Sequence, residues 1–277
     1  MRRLWIWLIA LPAALWLVLV TLVWVTQSSL MYFPTRQTRA QAETDAGRAG
    51  AIALRDDAGE LLGWRWLPPP GSPCSSEWLL AHGNGGMALH RAHVIVRLRQ
   101  SVDPGACLSI LEYPGYGAAS GLPNRVAIMR KANALLARVQ AGRGGETAVP
   151  LLLIGESLGT GVVAELAQAA PHAIAGLLLL TPYDDLAAVA RSHHPWLPAT
   201  LVLRDRFQPA LALRDYSGPV LLIVAGADRV IPPRHAEALA GSLRHPRVHV
   251  EPGLDHHELE DRPGWWSQVR VLLPTVR

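Results

Sequence analysis

Cysteine is nearly absent: Cys74 and Cys107 are all the chain has. They form no C-x-x-C redox pair and no zinc-ligand spacing. Charge is sparse too, at 17% of 277 residues, with a formal net charge of +4. The basic residues are scattered (Arg36, Arg39, Arg91, Arg97, Arg99, Arg130, Lys131, Arg204, Arg206), and no Lys/Arg run carries interleaved aromatics. That argues against a nucleic-acid partner and leaves a mildly basic exterior suited to an anionic membrane surface. There is no internal repeat, and no low-complexity tract beyond an Ala/Leu bias.

One segment lacks charge altogether. Leu4–Val25 holds no ionisable side chain, and at 1.5 Å per residue it spans roughly 30 Å, the thickness of a hydrocarbon core. Pro12 is tolerable there, because no water competes for the helix hydrogen bonds. Trp5, Trp7 and Trp24 lie near the two ends, where amphipathic rings favour the interface. A cleaved signal peptide is the rival reading. Met1-Arg2-Arg3 would suit it, but the run is too long and Val25-Thr26-Gln27-Ser28-Ser29 is a weak cleavage site. The expectation is an uncleaved anchor over 1–26, a polar juxtamembrane linker over 27–48 and a single folded domain over 49–277. Arg2 and Arg3 flank the run more closely than Arg36 and Arg39. This puts the N-terminus inside and the domain on the extracytoplasmic (periplasmic or lumenal) side. One span cannot form a transport pathway without oligomerising.

Beyond the anchor, strand-like and helix-like apolar patterns alternate, the signature of an α/β domain with a mostly parallel sheet flanked by helices. Strands are expected at Ala51–Arg55, Leu61–Leu67, Trp78–Ala81, Cys107–Tyr113, Val149–Ile154, Ile174–Leu180, Val220–Val224 and Val248–Glu251. Helices are expected at Met87–Arg99, Pro123–Val139, Leu158–Ala169, His235–Leu243 and Trp265–Leu273. The forty residues before Val220 are too many for a plain loop and too few for a separate cap domain, so one or two short helices should fold over the site. His193 and His194 could face substrate there, although a solvated loop is the simpler reading. Cys74 precedes one strand and Cys107 opens the next. If those strands are neighbours the pair could form a disulfide, which would suit an oxidising compartment; otherwise both are buried thiols.

The chemistry centres on Gly155-Glu156-Ser157-Leu158-Gly159, set between an apolar strand and a helix. This is the G-x-S-x-G arrangement of a nucleophile elbow. A serine hydroxyl needs a general base, and the base needs an orienting acid. With such an elbow the partners follow in the order Ser, Asp or Glu, His. Asp228 stands in the loop after Val220–Val224, with Asp184 and Asp185 as lower-ranked alternatives. Two adjacent histidines, His256 and His257, follow the last strand. The oxyanion needs two N–H donors. Leu158, next to the serine, offers one, and the glycine-rich loop His82-Gly83-Asn84-Gly85-Gly86 offers the other through the Asn84 main chain. The His82 ring would hold that loop.

Taken together, these motifs resemble the Bem46-like branch of the α/β-hydrolase superfamily. The matching pieces are Ser29–Thr35 after the apolar segment, His82–Gly86, Tyr113-Pro114-Gly115-Tyr116-Gly117 with Ser120-Gly121, Gly155–Gly159, Gly226-Ala227-Asp228 with Val230-Ile231-Pro232, and Gly253–Glu258. The resemblance covers nearly the whole chain. It implies an α/β-hydrolase fold and a Ser157–Asp228–His256 triad, and it selects His256 over His257 as base. It also implies neither a metal nor an organic cofactor. Gly85 stands where relatives often carry Ala, and His257-Glu258 replace a usual Asn-Asp. The implied activity is that of a membrane-anchored serine hydrolase acting on a lipophilic ester or thioester. The alternatives are a serine peptidase or a non-catalytic membrane-tethered binding module.

Overall fold

The computed structural model describes residues 2–142, 149–259 and 262–273; Met1, at the head of the basic start, lies outside them. The chain opens on helix α1 (Arg2–Met31), a short strand β1 (Phe33–Pro34) and helix α2 (Arg39–Arg48). Strands β2 (Ile52–Arg55), β3 (Leu61–Trp66), β4 (Ser76–Ala81) and β5 (Gly85–Gly86) follow, then a 3-10 turn at Ala88–Arg91 and helix α3 (His93–Ser101). Next come β6 (Ala106–Leu111), α4 (Arg125–Ala141), β7 (Leu151–Glu156), α5 (Gly159–Ala169) and β8 (Gly176–Leu180). Three short helices, α6 (Leu186–His193), α7 (Ala199–Val202) and α8 (Pro209–Ala212), precede β9 (Val220–Ala225), α9 (Arg234–Ser242) and β10 (Pro246–Glu251). A 3-10 helix, Pro263–Leu272, comes last.

Eight strands form one sheet in the order β10-β9-β8-β7-β4-β6-β3-β2. The pairs from β10 to β6 are parallel, while β3 runs antiparallel to both β6 and β2. A parallel strand covered on both faces reads as a continuous apolar run. Strand β7 shows why. Leu151 and Leu153 join a core with α4, α5 and α9 on one face, and Leu152 and Ile154 join a second core with α3, Trp265 and Trp266 on the other. Because β7 and β4 are neighbours, their C-terminal ends bring Ser157 and the loop after Ala81 together. This is where open α/β sheets place their sites.

The N-terminal region differs from the sequence expectation. Helix α1 runs on to Met31, and Leu8–Met31 is long and apolar enough to cross a membrane, with none of its apolar window buried inside the protein. Residues 27–48 are no loose linker. Tyr32, Ala42 and Ala46 are buried among core residues, and β1 pairs with β5. No break in packing falls at residue 48. The reason was hidden in composition: α2 is polar throughout and holds on by two alanines four residues apart, one helical turn. Helix α4 starts two residues later than its proline suggested, at Arg125. Asn124 is the N-cap, its side chain accepting from the Ala127 N–H at 2.9 Å.

Cys74 and Cys107 are joined by a disulfide, with Cα atoms 5.6 Å apart, at the N-terminal edge where β4 and β6 pair. It closes a loop of 33 residues. Reduction should therefore lower the unfolding free energy by about 3–4 kcal/mol, read as a fall in Tm and in denaturant midpoint without loss of the native circular dichroism at 25 °C.

Candidate active site

The elbow is built by three constraints. Strand β7 ends at Glu156, α5 begins at Gly159, and Ser157 between them has φ 49°, the left-handed region that β-carbon-bearing residues avoid. Its N–H donates to the Leu180 carbonyl on β8 at 2.9 Å, which pins the strained turn to the neighbouring strand. Gly159 approaches β4 so closely that a β-carbon there would sit 1.9 Å from the Ala81 carbonyl oxygen. A glycine is thus required two residues past the serine.

Ser157 Oγ lies 3.1 Å from His256 Nε2, and His256 Nδ1 lies 2.7 Å from Asp228 Oδ2. All three residues are buried. The other Asp228 oxygen accepts from the N–H groups of Val230 at 2.8 Å and Ile231 at 2.7 Å. A carboxylate oxygen held by two main-chain donors is fixed in direction. It accepts the Nδ1 proton of His256, so the Nε2 lone pair faces the serine. His257 is exposed, its ring edge-on to that of His256.

The rival acids are engaged elsewhere. Asp184 lies 2.7 Å from His235 Nδ1, and His235 Nε2 lies 2.8 Å from Ser192 Oγ. Asp185 caps α6 through the Ala187 N–H at 2.7 Å and pairs with Arg206. His193 contacts the Val230 carbonyl at 2.9 Å, and His194 is exposed beside Trp196. Neither histidine lines the serine cleft.

That cleft, of about 320 Å³, is lined by Gly83, Asn84, Gly85, Gly86, Ser157 and His256, among others. Its size suits a small-molecule group. His82 Nδ1 stands 2.8 Å from the Gly83 carbonyl oxygen, which can only accept, so Nδ1 carries the proton. In a trans peptide the carbonyl and the following N–H point in opposite directions. The His82 bond therefore orients the Asn84 N–H. Tyr113 packs on the His82 ring at 4.2 Å between centroids and donates to the His82 carbonyl at 2.6 Å. Burial pushes the His82 imidazole down to about 3, which keeps it neutral. Beneath it, burial raises the Glu112 carboxyl to about 7, although the Ala88 N–H and the Trp64 indole both donate to it.

Two features escaped the sequence reading. Glu156, the variable position of the elbow, faces the cleft and is gripped by Arg91 from the turn after β5, Nε to Oε2 at 2.8 Å with a second bond to Oε1. A lone charge ending an otherwise apolar strand was the available signal. The second is that β1 braces the candidate oxyanion loop. The Phe33 N–H and the Tyr116 hydroxyl donate to the Asn84 carbonyl at 2.9 and 2.7 Å, and Asn84 Nδ2 donates to the Met31 carbonyl at 3.0 Å.

No protein-family model matches the chain. An uncharacterized protein of Mycobacterium tuberculosis is 30% identical over 263 residues, covering 93% of this chain and 88% of the relative. Among solved structures, the esterase Pf2001 of Pyrococcus furiosus superposes with a TM-score of 0.62 at 14% identity, covering 87% of this chain and 96% of that one. Est1E from Butyrivibrio proteoclasticus gives 0.60 at 16% identity, covering 80% and 98%. The chain has the α/β-hydrolase fold of these structures and belongs to one family with the uncharacterized mycobacterial protein.

Proposed function

We propose that the protein is a membrane-anchored serine hydrolase that cleaves a lipophilic ester or thioester through an acyl-enzyme on Ser157. The relay Ser157 Oγ–His256 Nε2–Asp228 carries this reading, at 3.1 and 2.7 Å. His256 takes the serine proton as Oγ attacks the carbonyl carbon. The Leu158 and Asn84 N–H groups hold the resulting oxyanion. The tetrahedral intermediate collapses, the C–O or C–S bond breaks, and the imidazolium returns the proton to the leaving alcohol or thiol. Water, deprotonated by His256, then attacks the acyl-enzyme and releases the acid and free Ser157. Asp228 orients the imidazole and stabilises its charge. The disulfide supports an extracytoplasmic domain.

A carboxylate open to a peptide amine would favour a peptidase. The carboxylate in the cleft, Glu156, is already held on both oxygens by Arg91. A binding module would not need the relay. The test is a fluorophosphonate label and p-nitrophenyl esters of C2 to C16 acyl chains on the detergent-solubilised protein. Labelling and turnover should both be present, and both should be lost in Ser157→Ala. A folded wild type that takes no label would refute the proposal.

The oxyanion assignment has its own check. His82→Phe should lower kcat by roughly 10- to 100-fold with KM little changed, because it frees the Gly83–Asn84 peptide. Its stability should also respond to pH. The depressed imidazole contributes fully above its ordinary 6.5, and that contribution is lost as pH falls toward about 3. Denaturation of both proteins over that range should show the variant gaining on wild type as pH falls.

A further inference from the structure

Pro195-Trp196-Leu197-Pro198-Ala199-Thr200-Leu201-Val202-Leu203 carries no charge, unlike the Arg191 and Arg204 that bracket it. It contains α7, and one side of it packs on α1: Leu197, Ala199 and Val202 form a small core into which Val20 and Val23 fit. The other side is open, with Leu201 85% and Trp196 46% exposed. An isolated exposed leucine says little. What matters is where the structure puts these ones.

Side chains of α1 fix the height of the segment. Trp16 Nε1 donates to the Trp196 carbonyl at 3.1 Å, and Gln27 Nε2 donates to the Val202 carbonyl at 3.1 Å. The Arg204 N–H donates to Gln27 Oε1 at 2.7 Å, and its guanidinium lies 5.0 Å over the Trp24 ring. The segment therefore stands beside α1 from Trp16 to Gln27. Trp16 is nine residues, about 14 Å, inside the Val25 end of the charge-free run. If α1 crosses a bilayer, Trp196 reaches the level of the acyl chains, and Arg204 with Trp24 marks the headgroup region.

Most of the segment's backbone fits that depth. In lipid each main-chain polar group needs a partner within the protein. Pro195 and Pro198 have no N–H to satisfy. The N–H groups of Leu197, Ala199, Leu201, Val202 and Leu203 are bonded inside the segment or to the His194 carbonyl before it, while those of Trp196 and Thr200 find no partner among the described residues. The Trp196 and Val202 carbonyls are taken by α1 side chains.

We infer that residues 195–203 are a second membrane element, lying in the extracytoplasmic leaflet against α1 with Trp196 and Leu201 facing lipid. The inference rests on the reading of α1 as a membrane span. It gives the hydrolase two points of attachment on one side of the sheet's C-terminal edge and makes a bilayer lipid, rather than a soluble ester, the substrate class to test first.

The full chain in phosphatidylcholine/phosphatidylglycerol nanodiscs tests it, with an NBD label on Leu201→Cys, on Leu19→Cys in α1, or on Val248→Cys on strand β10. The native cysteines are paired, so the label reports the introduced site. Doxyl-labelled phosphatidylcholine should quench Leu201→Cys as strongly as Leu19→Cys, with blue-shifted emission, and leave Val248→Cys unaffected. Quenching at Leu19→Cys alone would overturn the second element while keeping the anchor. Quenching at neither would overturn the anchor, and the inference with it.

Discussion

Replacing Ser157 by alanine should lower kcat for an ester substrate by roughly 10⁴- to 10⁶-fold and leave the fold intact. The reasoning is geometric. Ser157 Oγ is the atom 3.1 Å from the His256 lone pair, and alanine fits the same space with one oxygen fewer. His256→Ala should cost a similar factor, since a serine without its base stays protonated. The two losses should not add, because both remove the same step: the double variant should fall to the level of either single one. Stopped assays with purified proteins, with circular dichroism to verify folding, decide this. Additive losses would mean that the two side chains act in separate steps.

The second large effect separates two acids that chain order alone could not. Asp228→Asn should reduce kcat by about 10³- to 10⁴-fold. Asparagine has one acceptor oxygen. If that oxygen keeps the Val230 and Ile231 N–H groups, the amide nitrogen faces His256 Nδ1 and drives the ring into the wrong tautomer. Asp184→Asn should leave turnover within a few-fold of wild type, because Asp184 faces His235, not His256. If Asp184→Asn abolished activity while Asp228→Asn did not, the assignment of the acid would be wrong.

The sheet was legible because a parallel strand buried on both faces leaves no room for charge. The runs at Trp78–Ala81 and Val220–Val224 lie in strands of the central sheet, and so does Val149–Ile154 from Leu151 on. The elbow was legible because sterics admit only glycine where Gly159 passes Ala81. What escaped was long-range or small. Arg91 and Glu156 are 65 residues apart and meet only in the folded site. Helix α2 shows no amphipathic face, since its buried residues are two alanines. The stretch before Val220 holds three short helices rather than one or two: Pro198 is the N-cap of α7, and Pro209 opens α8.

The short pairing of Phe33–Pro34 with Gly85–Gly86 also bears on how the protein can be handled. The stretch that leaves the apolar helix is the same stretch that props up the loop bearing Asn84. A chain shortened to begin at residue 49 would lose that prop along with the apolar helix. Solubility and turnover would then trade against each other at one cut site. The apolar helix and the loop beside Ser157 thus share a single mechanical part, so removing the first disturbs the second.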